Sequence, residues 1–101
     1  MEGNLLVNPL CVQEYVKVIR KIEDNRQLHI ETEHYLHLYP DKITDSLRQF
    51  NIKDVRDMTY KPFSSTPKGF LYLHTTQGVF SYVVTTSPIP FIEKYKQYKI
   101  V

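Results

Sequence analysis

The chain has 101 residues, of which 42% are hydrophobic and 24% charged, values that suit one globular domain with its own core and carry no disorder signature. A formal net charge of +2 is too small to argue for nucleic acid by itself, and a single cysteine excludes an intramolecular disulfide. No run approaches the ~20 apolar residues of a membrane span, and the opening MEGNLLVNPLCVQEYV lacks the basic flank and apolar stretch of a secretory signal, so a cytoplasmic protein is expected.

Residues 1–14 read as an N-terminal extension, with a short helical turn near 9–13. The following YVKVIRKIE (15–23) is rich in β-branched residues, which favour a strand. Asn8–Pro9 and the spacing of Val12, Tyr15, Val16, Ile19 and Ile22 also fit a capped helix. In QLHIETEHYLHLYP (27–40) the apolar residues alternate: Leu28, Ile30, Thr32, His34, Leu36 and Leu38 take the inward parity of a strand. A turn at Thr32–His34 would split this stretch into a hairpin without changing the parity. In SLRQFNIKDVRDMTYKPF (46–63), Leu47, Phe50, Ile52, Val55, Met58 and Tyr60 supply apolar contacts on two strands. Their alternation slips at Lys53–Asp54, which marks a bulge or tight turn. SSTPKG (64–69) is a loop.

GFLYLHTTQGVFSYVV (69–84) is a hairpin with its turn at Gln77–Gly78. That turn sets Leu71 opposite Val84, Leu73 opposite Tyr82 and Thr75 opposite Phe80 on an apolar face. Phe70, Tyr72 and His74 then share the other face with Thr85, Val83 and Ser81. Ser87 and Pro88 open a C-terminal helix in which Phe91, Ile92, Tyr95 and Tyr98 recur at helical spacing, with Lys94, Lys96 and Lys99 toward its C-terminus.

Strands across 15–86 and a helix over 87–99 make a mainly β domain: a partly open β-barrel of about seven strands capped by one helix. This order resembles the bacterial pleckstrin-homology-like (PH-like) domains. FNIKDVRDMTY (50–60) looks like their strand–corner–strand, and GFLYLHTTQGVFSYVV with SPIPFIEKYKQ looks like their last hairpin and capping helix. The resemblance covers roughly residues 15–99 and rests on hydrophobic pattern, so it implies a fold more than a function. Eukaryotic members of the fold bind phosphoinositide head groups through basic residues around the first two strands. Lys17, Arg20, Lys21 and Arg26 lie in that region without reproducing the usual lysine–arginine motif. They are candidate anionic-ligand contacts, or else a solvated strand face.

Other chemistry is thinly supported. His29, Glu31 and His37 share one parity, but a zinc site needs three or four ligands converging at ~2 Å, and nothing in the pattern brings them together. Cys11, beside Leu10 and Val12, reads as a small half-buried side chain, and Asp54 and Asp57 as turn stabilisers. With three glycines there is no phosphate-cradling loop, and no catalytic residue, cofactor or small-molecule substrate is expected. The expected function is a non-catalytic interaction module that binds a protein partner or itself, by a sheet edge or by the face carrying Phe70, Tyr72, His74 and Val83. Peripheral binding to an anionic membrane through the basic cluster is an alternative. Single-strand nucleic-acid binding through Phe70 and Tyr72, with Lys61 and Lys68, is a further one.

Overall fold

The computed structural model describes residues 8–99. Seven antiparallel strands form one sheet: β1 (Cys11–Glu23), β2 (Arg26–Leu38), β3 (Lys42–Thr44), β4 (Gln49–Asn51), β5 (Val55–Pro62), β6 (Gly69–Thr75) and β7 (Gly78–Val84). Their spatial order is β4-β3-β2-β1-β7-β6-β5, so two meanders meet where the first strand joins the last. A 3-10 turn, Ile52–Asp54, carries the chain from β4, at one end of the sheet, to β5 at the other, and α1 (Ile89–Tyr98) follows β7. The sheet does not close on itself. It is a partly open barrel with the helix across its inner side.

The inner face is built by alternation. Cys11, Gln13 and Tyr15 of β1 lie opposite Leu38, Leu36 and His34 of β2. Tyr60 and Met58 of β5 lie opposite Leu71 and Leu73 of β6, which in turn face Tyr82 and Phe80 of β7. Ile43 and Phe50 pair across β3 and β4. Onto these the helix lays Phe91, Ile92 and Tyr95, all buried. Full burial of such apolar side chains contributes roughly 1.5–3 kcal/mol each. Two polar ties position the helix. The Tyr95 hydroxyl donates to the Val55 carbonyl at 2.6 Å, and Lys99 Nζ donates to the carbonyls of Ile52 and Lys53 at 3.0 and 3.1 Å. On the opposite side of the core, buried Gln13 ties β1 to the segment before the helix through Thr86 Oγ1 at 3.2 Å.

Several expectations shift. The N-terminal segment is strand from Cys11 on, so the extension is shorter than 1–14 and no helical turn spans 9–13. The β-branched run and its pairing to β2 along the whole strand outweigh the helical spacing. β2 is continuous through Thr32–His34, and the hairpin turn sits at Asp24–Asn25 instead. Both residues there take positive φ, 50° and 62°, the conformation a two-residue hairpin turn demands and one that Asp and Asn tolerate. The slip near Lys53 is the 3-10 turn, followed by a bulge between Val55 and Asp57. Leu47 is 75% exposed and contributes nothing to the core.

In the last hairpin, Leu71 faces Tyr82 and Leu73 faces Phe80, with Thr76–Gln77 as the turn. The register therefore stands two residues from the expected one, and both faces keep their membership. Positive φ falls on Gly78 (127°) rather than on Gln77. Thr75 Oγ1 holds the turn, donating to the Gly78 carbonyl at 2.8 Å and accepting from Gln77 N–H at 3.1 Å. The helix spans Ile89–Tyr98 with Pro88 as its N-cap, and Ser87 Oγ accepts from Ile89 N–H at 3.4 Å. No helix among the described residues is long and apolar enough to cross a membrane.

Candidate functional site

The helix covers one side of the sheet, so the outer side of the strands faces solvent. Cross-strand rows define it: Lys61–Phe70–Val83–Val16–Glu33 spans five strands, Thr59–Tyr72–Ser81 lies beside it, then Asp57–His74–Val79. Phe70, Tyr72, His74 and Val83 thus share one patch, each half-buried. Their rings touch in series. Phe63 meets Phe70 edge-on at 4.9 Å, Phe70 lies 5.7 Å from Tyr72, and Tyr72 lies 6.4 Å from His74. His74 Nε2 is held by Thr59 Oγ1 at 2.9 Å, which fixes the last ring. Val79 extends the apolar surface at 59% exposure. The alternating pattern does not single out Phe63 or Val79. Phe63 sits beyond the alternating run, and the loop brings it back because its N–H donates to the Lys68 carbonyl at 2.7 Å. Of the two lysines weighed for nucleic acid, Lys61 sits beside Phe70, but Asp57 beside His74 offsets its charge.

The basic cluster is divided by the pleat. Lys17, Lys21 and Arg26 lie on the inner side of the β1–β2 hairpin, opposite Thr32, Leu28 and Glu23; Arg20 lies on the outer side, opposite His29. Beyond Val16↔Val83, β1 leaves β7, while β2 joins β3 only at His37 and Leu38. The hairpin from Lys17 to Thr32 therefore projects as a two-stranded arm about 23 Å long at ~3.3 Å per residue. The radius of gyration is 15.5 Å, against about 13 Å for a compact chain of this length. Ile19 and Ile30, opposite each other on the inner side, are exposed, and Ile22 on the outer side is 80% exposed.

Where β1 parts from β7 there is a cleft of about 160 Å³, lined by Tyr15, Val16, Lys17, Asp45, Arg48 and Tyr82 among others. Asp45, only 4% exposed, anchors it. Its carboxylate accepts from the N–H groups of Leu47 (2.8 Å) and Arg48 (2.7 Å) and from the Tyr82 hydroxyl (2.8 Å), with Arg48 Nε at 3.3 Å. Burial alone would raise its pKa, but these hydrogen bonds and the Arg48 charge outweigh it and hold the carboxyl below its ordinary range. The Tyr82 hydroxyl is driven well above its usual value by burial and by that same carboxylate. Tyr15 completes the cleft: its hydroxyl bonds Ser46 Oγ at 3.1 Å, its ring meets Tyr82 edge-on at 4.8 Å, and Lys17 Nζ reaches Ser46 Oγ at 3.3 Å. The hydroxyls of Tyr82 and Tyr15 are taken up by Asp45 and Ser46, and no buried side-chain polar atom among the described residues lacks a partner, so these groups act as a clasp between the meanders.

The remaining candidates separate. His29 and His37 stand eight positions apart on one continuous strand, about 26 Å, and among the described residues no three His, Cys, Asp or Glu side chains converge on a metal position. His34 faces inward, stacked on Tyr15 at 5.4 Å and bonded to Thr32 Oγ1 at 2.8 Å. Cys11 is partly buried at the margin of the core. No family model matches the chain, and no curated protein and no solved structure matches it either.

Proposed function

We propose that the chain is a non-catalytic interaction module of PH-like fold that takes a protein partner on the outer face of its sheet. The observation that carries this reading is the ring series Phe63–Phe70–Tyr72–His74, extended by Val83 and Val79, on a side of the sheet that contributes nothing to the core. Aromatic side chains fixed by their neighbours present large contact area at little entropic cost, which is why such residues dominate interface hot spots. Seven antiparallel strands followed by a helix support the PH-like reading, and with the resemblance goes a bacterial, cytoplasmic setting. A photo-crosslinking residue in place of Tyr72 in cells is expected to give a discrete protein adduct, and one in place of Lys53 none. The double variant Phe70→Ser/Tyr72→Ser is expected to keep the far-UV spectrum and lose that partner. A folded double variant that retains the partner undiminished sinks the proposal.

A further inference from the structure

We propose that two copies of the chain associate through the free edge of β2, antiparallel about Ile30, so that their arms form one four-stranded sheet. This goes beyond the outer-face reading and does not depend on it.

The arm is a structure that asks for a partner. An isolated two-stranded ribbon is marginal in water. This one carries Ile19, Leu28 and Ile30 on its inner side and Val18 and Ile22 on its outer side, all of them exposed but the half-buried Leu28. Among the described residues both of its edges present unpaired backbone groups, the β1 edge beyond Val16 and the β2 edge before His37.

Charge and register choose between the edges and select the occupant. A two-fold axis through an antiparallel edge keeps inner side with inner side, so a residue on the axis faces itself and its neighbours pair symmetrically about it. On β1 the registers that pair five or more residues of the free stretch set Arg20 against Arg20, Lys21 against Lys21, or Lys17 against Lys21, and like charges directly opposite are destabilising. The free stretch of β2 runs from Arg26 to Leu36 with both its carboxylates, Glu31 and Glu33, on the outer side, so an antiparallel register exists in which each of them faces a residue of the second copy that is not acidic.

With Ile30 on the axis, His29 faces Glu31 of the second copy, Gln27 faces Glu33, and Leu28 faces Thr32. Because Ile19 already faces Ile30 within the hairpin, the inner side gains a continuous row, Ile19–Ile30–Ile30–Ile19, across four strands. On the outer side Arg20 faces His29, so the row Arg20–His29 continues onto Glu31 of the second copy with His29 in the middle. Moving the axis to Glu31 sets that carboxylate against itself, and moving it to Thr32 sets Glu31 against Glu33. Moving it to His29 removes the isoleucine row.

The test uses the full chain in a Cys11→Ser background. Light scattering is expected to give twice the chain mass, and Ile30→Lys to weaken the association at least tenfold without changing the far-UV spectrum. Ile30→Cys is expected to couple two chains through a short bis-maleimide. Ile22→Cys, whose two copies lie more than ~20 Å apart in the proposed dimer, is expected not to couple. A single-chain mass at several hundred micromolar overturns the proposal, as does coupling at Ile22→Cys equal to that at Ile30→Cys. A monomer that instead floats with phosphatidylserine vesicles at low salt overturns it in favour of an anionic lipid surface.

Discussion

Tyr95 shows how much one hydroxyl does here. Its ring fills the core, and its hydroxyl satisfies the Val55 carbonyl at 2.6 Å, at the point where the chain crosses from β4 to β5. Tyr95→Phe keeps the ring and strands the carbonyl, so it is expected to cost about 1–3 kcal/mol in urea denaturation. The hydroxyl also carries a pH signature. Burial and the nearby Asp57 charge push its pKa up to about 12. A raised folded value means that the contribution is intact below about pH 10, where the unfolded tyrosine ionises. It is lost as pH rises from there through about 12. The wild-type chain should therefore lose stability across that window, and Tyr95→Phe should lose less; equal losses in the two chains would refute the assignment. That Tyr95 belongs to the core was legible from its helical spacing with Phe91 and Ile92. Its hydrogen bond was not, because nothing local to α1 names the Val55 carbonyl. The Asp45 clasp escaped the sequence reading for the same reason: Asp45 and Tyr82 meet only once the meanders are joined.

Among the elements, parity was the reliable signal and register the unreliable one. In the β6–β7 hairpin a shift of two residues leaves every side chain on its side of the sheet, so the hydrophobic pattern cannot distinguish the two alignments. The turn decides, and it puts positive φ on Gly78, where no Cβ objects. The partition of Phe70, Tyr72, His74 and Val83 onto one surface was therefore readable, whereas the added ring of Phe63 depended on a loop. The basic cluster follows the same logic, with Lys17, Lys21 and Arg26 on one side of the arm and Arg20 on the other. Lys17, Arg20, Lys21 and Arg26 are near in sequence, but Lys17 and Lys21 share a parity that Arg20 does not. The β1–β2 arm is separable from the body, since no fully buried hydrophobic residue lies between Val16 and Tyr35. Replacing residues 18–31 by Asn-Gly, which joins the facing pair Lys17 and Thr32 by a two-residue turn, is expected to leave the thermal midpoint within a few degrees. Small-angle scattering on the shortened chain should give a radius of gyration near ~13 Å. A molten spectrum would show instead that the arm is needed for the body to fold.

For the molecule as a whole, the two meanders are joined along a short line. β1 meets β7 at Val16↔Val83, reinforced by the Tyr15–Tyr82 contact and by Asp45. Each meander is local: β1 through β4 turn back on one another in sequence, and so do β5 through β7. The junction between them is the most distant strand pairing in the chain, and its loop-closure entropy must be met before any contact there rewards it. That places the junction on the folding clock. The hairpins are expected to form early and the rate to be set by the moment the first strand finds the last. Val83→Ala should accordingly slow refolding in stopped-flow measurements, while Ile22→Ala at the arm tip leaves the refolding rate unchanged. A Val83→Ala chain that refolds at the wild-type rate would place the barrier elsewhere. A nascent chain, on this view, holds its N-terminal meander half-built, with an unfilled inner face, until β7 has been made.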